Sequence, residues 1–126
     1  VGLLLLEVIL KPLFGVGRPT VFPHGVQAGW YSFPSGHALR GVGVFGFLAV
    51  LCVTRGWERR KFGWWVAAVG FAVLGVVVCW SRVYLGVHAP TDVIAGGLAA
   101  TAWVAACLLA RRYAMTRPRP SQRLKR

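Results

Sequence analysis

Three long apolar segments, separated by short polar links, constrain the fold of this 126-residue chain more than any other feature. They cover residues 38–54, 62–80 and 93–110, and each comes close to the roughly 20 residues that an α-helix needs to cross a bilayer. Because backbone polar groups cannot stay unpaired in lipid, such segments fold as helices. Residues 1–10 form a further apolar stretch, interpreted as the end of an earlier helix. The sequence therefore predicts an all-α, multi-pass transmembrane helical bundle.

Most basic residues lie at one end of these segments. The chain carries 15 Lys and Arg against 3 Asp and Glu, a net charge of +12, although 56% of its residues are hydrophobic. By the positive-inside rule, the basic end faces the cytoplasm. A soluble nucleic-acid binder would carry its charge on a polar surface, so we expect no nucleic-acid partner. The cations of this end are Arg55, Arg59, Arg60, Lys61, Arg111, Arg112, Arg117, Arg119, Arg123, Lys125 and Arg126.

The remaining cations and every histidine fall at the opposite, extracytoplasmic end. Three stretches meet there: "KPLFGVGRP" at 11–19, "PSGH" at 34–37 and "SRVYLGVHAPTD" at 81–92. Each lies where a predicted helix begins or ends, so the topology of a bundle places them at one membrane face. The residues brought together in this way are Lys11, Arg18, Ser35, Gly36, His37, Arg82, His88 and Asp92.

Phosphate is the ligand that this set fits. Arg and Lys bind phosphoryl oxygens as a planar fork and a point charge, and Ser35-Gly36 at a helix start adds backbone N–H groups and the positive end of the helix dipole. Asp92 follows His88 by four residues, so on a helical turn its carboxylate can reach Nδ1 and fix the tautomer. His37 supplies a second acid or base near neutral pH. The residues favour phosphoryl transfer through a phosphohistidine, and we expect no metal or cofactor.

These stretches resemble the signature motifs of a known family. Lys-x6-Arg-Pro, Pro-Ser-Gly-His and Ser-Arg-x5-His-x3-Asp are similar to the three motifs of the type 2 phosphatidic acid phosphatase (PAP2) superfamily, and every specified position matches. The resemblance implies a six-helix membrane phosphatase of which this chain is the C-terminal part. Residues 1–110 would be its catalytic membrane domain, truncated at the N-terminus. Residues 111–126 would be a disordered, basic cytoplasmic tail attracted to anionic lipids.

The resemblance also implies a role for each matched residue. His88 would be the nucleophile, Asp92 its orienting partner, and His37 the acid that protonates the leaving oxygen and later helps to activate water. The phosphoryl oxygens would be held by Lys11, Arg18, Ser35, Gly36 and Arg82. The implied substrates are lipid phosphates of the phosphatidic acid, phosphatidylglycerophosphate or undecaprenyl pyrophosphate type. The expected location is a bacterial plasma membrane.

Two other functions stay open. A lipid phosphotransferase would pass the phosphoryl group from the same intermediate to an alcohol instead of water, and the sequence does not separate it from a hydrolase. A non-catalytic, anion-binding membrane module is the alternative from another class, although such a relative would be expected to have lost His37, His88 or Asp92. Vanadium haloperoxidases carry similar motifs, but they are soluble proteins. The membrane-spanning segments of this chain therefore argue against a haloperoxidase.

Three polar residues belong to none of the motifs. We interpret His24 as a structural hydrogen-bonding residue and Arg40 as extending from the first turn of its helix to the membrane interface. Glu7 lies within an apolar stretch, and a charged side chain at the bilayer centre costs about 2.5–3.5 kcal/mol. We therefore expect Glu7 to face the bundle interior or to lie near the interface, and its role stays open.

Overall fold

The computed structural model describes residues 1–17 and 31–116, and the elements within those ranges are all helices. Four follow one another: α1 (Gly2–Phe14), α2 (Gly36–Arg59), α3 (Phe62–Tyr84) and α4 (Pro90–Thr116). The last three are long and apolar enough to cross a membrane. The predicted all-α transmembrane bundle is confirmed.

α2 is the central helix of the described bundle and packs against α1, α3 and α4. Its glycines allow two of these neighbours to come close. A Cβ at Gly41 would lie 2.8 Å from the Val78 side chain of α3, and Gly43 faces the Leu3 side chain of α1. Helices in lipid gain little hydrophobic energy by associating, so their contact depends on such close van der Waals packing.

The outward surface of the spanning helices is apolar. Large aliphatic side chains are more exposed than buried along α3 and α4, an arrangement that is unfavourable in water and favourable in hydrocarbon. The surface therefore agrees with the helix lengths in describing a membrane protein. Examples are Val66, Val69, Val76, Ile94 and Leu98.

Each spanning helix extends beyond the apolar segment that predicts it. α2 continues past residue 54 to Arg59, so most of the predicted basic link is helical. α3 continues to Tyr84 and includes Ser81 and Arg82, which the apolar pattern assigns to the following link. A polar residue at a membrane interface does not have to end a helix, because continuing the helix keeps its backbone groups paired.

α4 passes the boundary predicted at residue 110. The helix contains Arg111 and Arg112 and ends at Thr116, so the beginning of the predicted tail is helical. Arg, Ala and Met are good helix formers, which explains why the helix continues into the basic segment. Residues 117–126 lie outside the described residues, and disorder there stays a prediction.

The turn between α3 and α4 directs the third motif back into the bundle. Gly86 has φ 65°, a left-handed conformation that glycine adopts without steric cost, and its N–H donates to the Val83 carbonyl oxygen at 2.9 Å. His88 follows in a buried position. α4 then begins at Pro90, which suits the first helical position because no intrahelical partner is needed for its missing N–H.

Candidate active site

Two backbone hydrogen bonds join the helix ends that carry the motifs. The Ser32 N–H donates to the Val16 carbonyl oxygen at 2.8 Å, which ties the segment before α2 to the segment after α1. The Ser35 N–H donates to the Asp92 carbonyl oxygen at 2.9 Å, which ties the start of α2 to the start of α4. The structure therefore brings the second and third motifs into direct contact.

His88 and Asp92 form a buried pair at the start of α4. Their residues are 5% and 4% exposed, and His88 Nδ1 lies 3.3 Å from Asp92 Oδ2. This contact, which the four-residue spacing predicts, is slightly longer than an ordinary N–H···O hydrogen bond. The Ala89 N–H also donates to Asp92 Oδ2, at 3.2 Å, so the carboxylate is held by the backbone of its own turn.

Ser32 is the residue of this cluster that sequence reasoning missed. Its hydroxyl donates to Asp92 Oδ2 and lies 3.3 Å from His88 Nδ1, and the residue is completely buried. Ser32 belongs to none of the quoted motifs, and its contact depends on how α4 packs on the segment before α2. One sequence signal could have identified it: Ser32 lies between the aromatic residues Tyr31 and Phe33. A hydroxyl buried among such residues needs a hydrogen-bond partner.

The second motif begins α2. Ser35 is its N-cap, with an extended backbone, and Ser35 Oγ accepts a hydrogen bond from the Ala38 N–H at 3.4 Å. This is the ordinary role of serine at a helix start, and the hydroxyl hydrogen is still available for a phosphoryl oxygen. Gly36 is buried and His37 is exposed in the first turn, where helical N–H groups have no intrahelical acceptors.

His37 lies near several charged side chains. Four of them are within electrostatic range of its ring: Arg82, Arg40, Glu7 and Lys11. Lys11 and Arg82 are half-buried. Because both affect His37 electrostatically, these predicted phosphate-binding cations of α1 and α3 lie near the start of α2. Arg18 and His24 lie outside the described residues, and their predicted roles stay predictions.

Glu7 has specific partners, and so does Arg40. Glu7 Oε1 lies 2.8 Å from Lys11 Nζ, and Glu7 Oε2 lies 3.6 Å from Arg40 Nη1. Arg40 Nε also donates to the Gly36 carbonyl oxygen at 3.1 Å. The guanidinium of Arg40 is therefore turned toward the start of its own helix, where it contacts a carboxylate and a carbonyl oxygen.

The positive charge near His37 comes from lysine and arginine side chains. Within residues 1–17 and 31–116, no three His, Cys, Asp or Glu side chains are grouped so that they could hold a metal ion. The positive groups near His37 are Lys11, Arg40 and Arg82. Guanidinium and ammonium groups bind phosphoryl oxygens directly.

The fold and the site define a helical membrane protein with a buried His–Asp pair and a cluster of cations where its helices begin and end, an arrangement suited to a phosphoryl group. Comparison with known families agrees with this description. The PAP2 superfamily model matches residues 1–116. The chain belongs to the PAP2 superfamily.

Individual relatives are similar to parts of the chain. The chain is 44% identical over 68 residues to the undecaprenyl-diphosphatase of Sulfolobus acidocaldarius, covering 54% of this chain and 28% of that protein. It is 37% identical over 95 residues to phosphatidylglycerophosphatase B of Bacillus subtilis, covering 73% of this chain and 44% of that protein.

A solved structure shares the fold. It is the crystal structure of a transmembrane PAP2-type phosphatidylglycerolphosphate phosphatase from Bacillus subtilis, with a TM-score of 0.68 and 30% sequence identity. The match covers 94% of this chain and 57% of that chain. The present chain thus spans less than half the length of the two relatives named above and somewhat more than half of this structure.

Proposed function

We propose that the protein is a membrane phosphatase that hydrolyses a lipid phosphomonoester or diphosphate through a phosphohistidine at His88. The observation that carries the proposal is the buried cluster of His88, Asp92 and Ser32, placed where α2 and α4 begin. The cations around His37 supply the complementary charge for a phosphoryl group. The relatives named above carry lipid-phosphatase names, which supports a lipid phosphate as the substrate class.

In the first step, His88 is the nucleophile. With its Nδ1 hydrogen donated to Asp92 Oδ2, the ring carries its reactive lone pair on Nε2. Nε2 attacks phosphorus, the P–N bond forms, and the bond between phosphorus and the leaving oxygen breaks. The imidazolium that develops is stabilised by the Asp92 carboxylate, and His37 donates a proton to the leaving oxygen.

In the second step, water displaces the His88 nitrogen from phosphorus. His37, now neutral, accepts a proton from a water molecule that attacks the phosphohistidine, the P–N bond breaks, and orthophosphate is released with His88 restored. Lys11, Arg82 and the N–H groups of the first turn of α2 neutralise the phosphoryl charge in both steps. Arg18 completes this set by its motif position. We propose that these cations make the reaction independent of a metal ion.

The extracytoplasmic face of a bacterial plasma membrane is the proposed location. The site lies at the ends of α1 and α3 and the starts of α2 and α4, whereas the basic link between α2 and α3 lies at the other end of the bundle. The positive-inside rule assigns that basic end to the cytoplasm. A lipid phosphate carries its headgroup at the membrane surface, which is the depth of the site.

Phosphate release by the full-length protein in detergent tests the proposal. Phosphatidic acid, phosphatidylglycerophosphate and undecaprenyl diphosphate are supplied in turn, with EDTA present, to wild type and His88→Ala. A matched control is His24→Ala, since His24 belongs to no motif. We expect EDTA-resistant release from at least one lipid, lost in His88→Ala and retained in the control.

Each other result excludes part of the proposal. Release that persists in His88→Ala would exclude His88 as the nucleophile, and release abolished by EDTA would exclude metal independence. Transfer of the phosphoryl group to an added alcohol, with no free phosphate, would identify the phosphotransferase. No reaction with any lipid would favour the non-catalytic anion-binding module.

A further inference from the structure

Glu7 is a nearly buried carboxylate that the proposed reaction does not use. Its side chain is 12% exposed, although it belongs to a strongly apolar helix, where an unpaired charge would be costly. Its partners are the two cations Lys11 and Arg40. A charge in such a place, with two partners of opposite sign, is a candidate for a functional role.

The packing of α1 on α2 determines the position of Glu7 along the axis of α2. A Cβ at Gly36 would overlap the Glu7 carboxylate, and a Cβ at Gly43 would overlap Leu3. The two helices therefore run antiparallel, with Glu7 beside the first residue of α2. Gly36 leaves the space that the carboxylate fills, in addition to its predicted role in close approach to phosphate.

Lys11 is one helical turn further along α1. A rise of about 1.5 Å per residue puts its backbone about 6 Å beyond Glu7, past the first residue of α2. A lysine there would ordinarily extend its side chain toward water. Here the side chain instead reaches back, and its Nζ lies 2.8 Å from Glu7 Oε1. Glu7 thus holds the ammonium group close to the level at which α2 begins.

Arg40 lies on the side of α2 that faces Glu7. Its guanidinium contacts Glu7 and the Gly36 carbonyl oxygen. One carboxylate therefore connects a cation of α1 to a cation of α2 near the start of α2. Lys11 and Arg40 carry two positive charges against the single negative charge of Glu7, so the group keeps a net positive charge beside His37.

We propose that Glu7 is a positioning residue that holds Lys11 at the start of α2, where the phosphoryl group of the substrate binds. The inference rests on the proposed function for the identity of the ligand. Glu7 touches neither the phosphoryl group nor the reacting atoms; it acts through Lys11. Its own negative charge opposes an incoming anion, and the placement of the ammonium group outweighs that repulsion.

A double-mutant cycle with inorganic phosphate as the probe tests this assignment. The dissociation constant of phosphate is measured, in the full-length protein in detergent, for wild type, Glu7→Gln, Lys11→Met and the double variant. Glu7→Gln keeps the size of the side chain and removes its charge. Glu58→Gln is the matched control, because Glu58 is an exposed glutamate near the other end of α2.

We expect Glu7→Gln to weaken phosphate binding about tenfold when Lys11 is present, the size of one charge-assisted hydrogen bond. In the Lys11→Met background the same change should have an effect of less than about twofold, because coupled residues are not additive. Glu58→Gln should bind phosphate as wild type does. kcat/KM for the lipid substrate should follow the same pattern.

Two results would overturn the assignment. Tighter phosphate binding in Glu7→Gln would mean that Glu7 only repels the anion, and equal weakening in both backgrounds would mean that it acts through the fold or through Arg40. If Glu7→Gln does not fold, Glu7→Asp, which withdraws the carboxylate by one methylene, replaces it with the same criteria. A protein that binds phosphate in this pattern but hydrolyses no lipid would contradict the proposed function alone.

Discussion

Gly96 of α4 packs directly on the carbonyl oxygen of Ser35: a Cβ at Gly96 would lie 2.6 Å from that oxygen and 3.2 Å from the Leu39 nitrogen. One turn earlier on α4, the Asp92 carbonyl oxygen accepts the Ser35 N–H. The second and third motifs are therefore held together by backbone contacts, and the absence of a side chain at Gly96 permits them.

Gly96→Ala should lower both stability and activity. The added methyl group has only backbone and a buried alanine to displace, and overpacking of this kind costs about 1–3 kcal/mol. Movement of α4 would also separate Asp92 from Ser35. The measurements are the thermal unfolding midpoint in detergent and kcat/KM for the lipid substrate.

The neighbouring glycine supplies the control for that experiment. A Cβ at Gly97 would lie 3.6 Å from Val42 Cγ2, which is ordinary van der Waals contact. Gly97→Ala should therefore leave both quantities near the wild-type values. Equal effects of the two substitutions would show that helix α4 responds to any added methyl group, and that the contact with Ser35 is not special.

Ser32→Ala should reduce kcat more than it reduces the amount of folded protein. The hydroxyl donates to Asp92 Oδ2 in a fully buried position, and removing one partner of a buried hydrogen bond to a charged group costs about 1.5–3 kcal/mol. Asp92 would then be less firmly oriented toward His88. Steady-state kinetics, together with the yield of monodisperse protein, separates the two effects.

Thr101→Val is a suitable control for the loss of a hydroxyl. Thr101 Oγ1 donates to the Gly97 carbonyl oxygen of its own helix and is exposed, so kcat should not change. If Ser32→Ala retained wild-type kcat, the contact with Asp92 would have no part in orienting the carboxylate.

Asp92→Asn tests the tautomer of His88. An amide at this position can donate to Nδ1, which would leave the proton on Nε2, the atom proposed to attack. The corresponding change in a Ser-His-Asp triad costs about 10⁴-fold in kcat, and we expect a loss of a similar order. Histidine ring NMR of the variant should show the exchanged tautomer; an unchanged ring spectrum with full activity would exclude this role.

His37→Asn should separate the two chemical steps. With a lipid monophosphate, whose alkoxide leaves poorly without a proton, turnover should fall by about 10²- to 10⁴-fold, the usual contribution of a general acid. With p-nitrophenyl phosphate, whose leaving group needs no proton, the first step should survive. The slow second step should then let an acid-labile phosphoenzyme accumulate, detectable with labelled substrate. Equal loss with both substrates, without an intermediate, would contradict the acid role.

The fold was largely predictable because each spanning helix is marked by its own run of apolar residues. The ends of the helices were less predictable. α3 continues through Ser81 and Arg82, because no glycine, proline or capping residue ends the helix where the apolar segment ends. The His88–Asp92 contact followed from a spacing within one turn. The Glu7–Lys11 pair has the same four-residue spacing and could have been predicted.

The contacts made by Ser32 were not predictable in this way. They join residues far apart in sequence, and they depend on how closely α4 approaches the segment before α2. The partners of Arg40 show the same limit, because the Glu7 carboxylate reaches it from another helix. Residues whose roles come from one helical turn can be identified from spacing, whereas those that come from packing require coordinates.

The hydrogen bonds of Asp92 to Ser32 and Ser35 have a consequence for biosynthesis. Asp92 belongs to α4, which follows α1, α2 and α3 in the chain and is therefore synthesised after them. Until α4 docks on the segment before α2, the Ser32 hydroxyl and the Ser35 N–H are both separated from Asp92. The geometry of the proposed site is therefore complete only after α4 has inserted and packed against α2.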